Sequence, residues 1–87
     1  MDIVKGSAVV SKAGRDKGRF FAVLELDSDF AMIADGDLRK IDKPKRKKLR
    51  HLGATSTIFT QHVLSSDKLL YADIKSRFYS DIPSREG

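Results

Sequence analysis

The chain has no cysteine and only two histidines among its 87 residues. That excludes disulfides and thiolate metal sites, and leaves His51 and His62 as the only imidazoles for a zinc centre that would need four ligands. No metal and no cofactor are expected. Long hydrophobic runs are also lacking: none approaches the roughly 20 residues of a bilayer-spanning helix. The N-terminal MDIVKGSAVVSK has no charged-then-apolar layout of a secretory signal. A cytoplasmic location without a membrane partner is the expectation. A nucleotide-cradling loop is missing as well, because only three residues separate Gly14 from Gly18 and Arg19-Phe20 follow, where a P-loop needs four residues and then Lys-Ser/Thr. Nor does any acid, base and nucleophile cluster stand out, so neither an enzyme nor a small-molecule substrate is expected.

What is present is an ordinary globular composition, 40% hydrophobic and 33% charged. A chain this short buries one modest core, so a second independent domain is not expected. The net charge of +5 is unevenly spread. From Arg39 to Arg50 eight basic residues face one acid, Asp42, a net of +7, so the rest of the chain carries −2. Scattered lysines are usually a solvated surface. Five cations among the six residues from Lys43 to Lys48 repel one another unless an anion screens them, which points to a polyanion. In a eukaryotic setting KPKRKK would also serve as a nuclear import signal.

The first half of the chain reads as short strands. Ser7 to Lys12 is predicted as the first, ending in the polar loop Ala13 to Gly18, and Arg19 to Leu26 as the second. On the second strand the set Phe20, Ala22, Leu24 and Leu26 looks more core-like than Phe21, Val23 and Glu25. After the turn Asp27-Ser28-Asp29, Phe30 to Ala34 leads to Asp35-Gly36, a hairpin signal that predicts Leu38 to Ile41 as the returning strand. Asp35 and Asp37 are accounted for by the turn itself rather than by magnesium. Pro44 interrupts the ladder, with re-entry near Lys47 to Leu52. Gly53 to Thr57 reads as a polar joint, and Ile58, Phe59, Val63 and Leu64 as an extended segment. A helix is predicted over about Asp67 to Tyr79, capped by Ser66, with Leu70, Ile74 and Phe78 on its buried stripe. The polar residues from Asp81 are expected to fray.

Gly14, Arg15, Asp16, Lys17, Gly18 and Arg19 match the loop of the KOW motif, which two strands flank. The stretch KRKKLRHL, Lys45 to Leu52, resembles the basic strand of the archaeal and eukaryotic large-subunit ribosomal family called L-fourteen-e. The resemblance covers about residues 3 to 53, and the helix after Ser66 is similar to that family's C-terminal helix. Phe20 and Phe21 depart from the pattern where many KOW modules carry a further glycine. The resemblance implies a mainly β fold, a small SH3-like barrel over residues 1–53 with an extension over 54–87 containing one helix, and contact with RNA, in particular ribosomal RNA, with ribosomal proteins as further partners.

The expected RNA contacts fall in two groups. Lys12, Arg15, Lys17 and Arg19 surround the first loop, whose glycines let backbone approach a phosphate. Arg39, Lys40, Lys43, Lys45, Arg46, Lys47, Lys48 and Arg50 form the second group, and His51 stacks on a base or closes the barrel. His62 is expected to pack near the tail. Phe20, Phe21, Phe30 and Phe59 read as core, and Tyr71 and Tyr79 as half-exposed. A sheet without an aromatic-studded face favours recognition of RNA shape over base reading. The rival expectation is a protein-interaction module of the transcription or translation machinery that docks through an exposed edge or loop.

Overall fold

The computed structural model describes residues 2–79; the expectation for the tail from Asp81 lies outside them. Five strands, β1 (Ser7–Ser11), β2 (Phe20–Asp27), β3 (Phe30–Ala34), β4 (Lys45–Lys48) and β5 (Leu52–Ile58), make one antiparallel sheet in the order β4-β3-β2-β1-β5. A short helix α1 (Gln61–Leu64) and then α2 (Asp67–Ile74) follow, and α2 continues as a π-helical turn over Lys75–Tyr79. The chain is therefore mainly β with a helical C-terminal segment. Ser66 caps α2 as expected, its hydroxyl accepting the Leu69 N–H.

The connectivity forces the sheet to curl. β4 and β5 are its two opposite edges, yet only the 3₁₀ turn Leu49–His51 joins them, and that linker reaches at most about 14 Å. The edges must meet at this corner. Register shifts between Ser7 and Val9 and between Val23 and Glu25 add the local twist that the curl requires. No ladder joins β4 to β5, so the sheet stays open between its edges.

Curling gives the sheet two buried sides. Inside the curl lie Val9, Phe21, Val23, Ala31, Ile33 and Leu52. On the outer side Ala8, Ala22 and Ala34 stand directly opposite one another on three adjacent strands, all fully buried. This row of methyl groups lets α2 come close and seat Leu70 and Ile74 beside Phe59. Phe78 extends the stripe by stacking on Phe20 at 4.1 Å between ring centroids.

Four sequence expectations are corrected. On β2 the residues Phe21 and Val23 fill the inner core, whereas Phe20 and Leu24 are half-buried on the helix side and Leu26 is exposed. β2 is the central strand and is covered on both faces, so alternation carries no inside-outside signal there. The extra residue at Leu24 also takes Glu25 out of the Phe21–Val23 face, pairing it with Met32. Second, Leu38 to Ile41 forms no strand. Asp35 folds the chain on itself by accepting the N–H groups of Asp37 and Arg39 on Oδ1, and the sheet resumes only at Lys45. Third, Gly53 to Thr57 is strand, not joint. β5 pairs with β1 through Leu52, Gly53 and Ala54, and Gly53 lies where a Cβ would press on Val10. Val63 and Leu64 belong to α1 rather than to an extended segment.

The helix also holds the loop between β3 and β4. Gly36 has φ +80°, and a side chain there would collide with the Asp67 carbonyl oxygen at the start of α2. The Asp67 carboxylate accepts the Ile41 N–H at 2.7 Å.

Candidate nucleic-acid interface

The loop between β1 and β2 is closed by its own backbone. Gly18 N–H donates to the Ser11 carbonyl and Arg19 N–H to that of Asp16, with Gly14 at φ +87° making the turn. The product of this geometry is the position of Asp16. Its Oδ1 accepts from Ser11 Oγ and Lys47 Nζ, both at 2.6 Å, and its Oδ2 from Lys45 Nζ at 3.1 Å. Lys47 also donates to the Ala13 carbonyl at 2.7 Å and is only 7% exposed. Burial pushes the Asp16 carboxyl up, but the bonds from Lys47, Ser11 and Lys45 outweigh it and hold the group well below the usual carboxylate range.

β4 therefore splits the basic run in two. Lys45 and Lys47 pair across the ladder with Ile33 and Ala31, and so share the inner face. Arg46 and Lys48 pair with Met32 and Phe30 and point outward, where the Arg46 guanidinium lies 3.6 Å over the Phe30 ring. Lys47, expected among the phosphate contacts, is an internal brace instead, because a buried ammonium requires a carboxylate partner.

Arg19 is the third internally engaged cation, after Lys47 and Lys45. Its guanidinium lies 3.6 Å from Asp35 and 3.8 Å from Asp37. Tyr79, half-buried, accepts the Phe20 N–H on its hydroxyl, and so the end of the helical segment steadies the strand next to Arg19. Of the thirteen expected residues, nine are exposed cations without a carboxylate partner among the described residues: Lys12, Arg15, Lys17, Arg39, Lys40, Lys43, Arg46, Lys48 and Arg50. His51 is half-buried in the 3₁₀ turn, and its carbonyl accepts the Lys12 N–H. His62 is exposed on α1.

Two grooves flank β4. One, of about 350 Å³, brings Arg15 and Arg19 from the first loop against Arg39 and Lys45 from the second segment, with Leu38 on its wall. The other, of about 510 Å³, is formed by Asp29, Phe30, Lys48, Leu49 and Arg50. Lys45 and Lys48 are three residues apart, so the two openings lie about 10 Å apart along the strand. The first groove joins the two basic groups that the sequence offers separately.

Sequence reasoning missed Asp16, Phe30 and Asp29. For Asp16 the signal was present: it is the one acid in a basic loop, and strand alternation over 45–48 sends alternate lysines inward. Phe30 read as core because nothing local shows that its outward position meets Arg46 across the ladder. Among the described residues no three metal-binding side chains gather, and no helix is long and apolar enough to cross a membrane. No protein-family model and no curated protein matches the chain, so the KOW resemblance rests on residues 14–19 and 45–52 themselves.

Proposed function

We propose that this protein is a non-catalytic RNA-binding protein of the translation machinery, an SH3-like KOW barrel that grips the backbone of structured RNA, in the first place ribosomal RNA. The observation that carries the reading is the convergence of Arg15 and Arg19 with Arg39 and Lys45 around one groove. Two basic segments twenty residues apart in sequence meet on one side, and Arg15 and Arg39 are exposed without acidic partners among the described residues. That is the electrostatic footprint of a polyanion site. The edge-to-edge corner at Leu49–His51 and the strand order support the barrel. Glycines at both ends of the first loop and an acid in its middle support the KOW motif, with Asp16 as the ion that anchors the basic strand.

Binding of a folded ribosomal RNA fragment, measured by filter retention, tests the reading. Arg15→Glu, Arg39→Glu and Lys48→Glu together should abolish retention while the far-ultraviolet circular dichroism is unchanged. Retention equal to that of the parent protein would sink it. Lys47 is left intact in this variant because a glutamate there would face Asp16 and unfold the chain.

A second reading, docking to a partner protein, is favoured by one observation. β4 pairs only with β3 and β5 only with β1, so both strands keep an open edge among the described elements. An open edge accepts an added strand.

A further inference from the structure

The second groove differs chemically from the first. The first gathers guanidinium and ammonium groups around a carboxylate already held by two lysines. The second has an aromatic ring, Phe30, an aliphatic wall, Leu49, two cations, Lys48 and Arg50, and on its rim Asp29, which has no cationic partner among the described residues. A carboxylate on the rim repels phosphate, so a run of backbone alone fits this groove poorly. A flat heterocycle with hydrogen-bond donors, flanked by its own phosphates, fits every element of it.

Arg46 strengthens the argument. Its guanidinium lies 3.6 Å over the Phe30 ring and the residue is exposed, with no carboxylate partner among the described residues. The guanidinium covers the Phe30 ring and holds it in place, and an aromatic ring so held is a surface on which an unpaired base stacks. The groove's volume of about 510 Å³ is in the range of small-molecule sites. The carboxylate then selects among the bases. Guanine presents N1–H and N2–H side by side, matching both oxygens of a carboxylate. Adenine and cytosine offer one amino group beside a ring nitrogen acceptor that would face the anion, and uracil offers a single N–H between two carbonyls.

We propose that the groove of Phe30, Leu49 and Asp29, with Arg46 backing the Phe30 ring, takes one unpaired guanine of the bound RNA, with Lys48 and Arg50 on the phosphates to either side. The proposal rests on the RNA-binding reading and adds base recognition to it. It places that site at the far end of β4 from the loop of the KOW motif, on the part of the outer sheet face next to Phe30 and Lys48, away from the alanine row that α2 covers.

The test uses a set of RNA hairpins that differ at one position: fully paired, or with a single bulged G, A, C or U. Binding is followed by fluorescence anisotropy at one salt concentration. The bulged-G hairpin should bind about tenfold more tightly than the paired one, the order expected for one stacked base, and the other bulges less so. Asp29→Asn should remove the preference for G over A without weakening the paired hairpin. Arg46→Lys, which keeps the charge and loses the plane, and Phe30→Leu should each bring the bulged-G hairpin down to the paired one. Equal binding of all the hairpins, or a G preference that survives Asp29→Asn, would overturn the pocket and leave the RNA reading standing. No binding of any hairpin would overturn both.

Discussion

Asp16 and Lys47 show how a single ion pair sorts a run of like charges into brace and contact. Asp16 is 12% and Lys47 7% exposed at the side chain, so each depends on the other. Asp16→Asn leaves the buried ammonium without its counter-ion and should cost about 3 kcal/mol of stability, read as a lower urea midpoint. Lys47→Met should cost less, because Asp16 keeps Lys45 and Ser11 and the methionine fills the same volume. That substitution should leave RNA retention unchanged, in contrast to Lys48→Ala, which should weaken it. The pH response follows from the same carboxyl. Its pKa in the folded chain lies well below its ordinary value of 3.8, so below about pH 4 the unfolded chain takes up the proton first. The contribution of Asp16 is complete above that pH and lost as pH falls further. Urea midpoints measured from pH 6 down to pH 3 should therefore drop more steeply for the parent protein than for Asp16→Asn.

At the scale of elements, the helical segment acts as a clamp on the segments that carry the exposed cations. Its N-terminus holds the 35–41 loop through Gly36 and the Asp67 carboxylate, and its far end holds the start of β2 through Tyr79 and the Phe78–Phe20 stack. Gly36→Ala meets both a positive φ and the Asp67 carbonyl, and should cost about 2 kcal/mol or more. Leu70→Ala, at a fully buried position, should cost about 2–5 kcal/mol. Thermal melts check both. If α2 steadies the proposed interface, RNA affinity in the Gly36 variant should fall at temperatures where its dichroism still reports folded protein, because Arg39 and Lys40 lie on the loop that Gly36 anchors.

At the scale of the whole molecule, three of the expected cations, Lys45, Lys47 and Arg19, are turned to internal use, and nine remain exposed without acidic partners among the described residues. If six to nine of these meet phosphates, affinity for structured RNA should fall about a thousandfold or more between roughly 50 and 200 mM salt. A log–log plot of binding constant against salt gives the number of contacts directly, and removing Lys48 should reduce its slope by about one while removing Lys47 should not. A flat plot would speak for the protein-docking alternative.

The local sequence was enough to place β1, β2 and β3 to within a residue, the loop from Gly14 to Gly18, the Ser66 cap and the Leu70–Ile74 stripe. Those features depend on turn chemistry, capping and periodicity within a few neighbouring residues. Charge counting also located the two basic groups. It was tertiary structure that decided which lysines of Lys45 to Lys48 face inward, that Asp16 holds two of them, that Phe30 carries Arg46, and that Gly53 to Thr57 closes the far edge as a strand. Each of these depends on a partner from another strand, and a pairing register is a property of the folded sheet, set by the curl and its bulges rather than by any one segment.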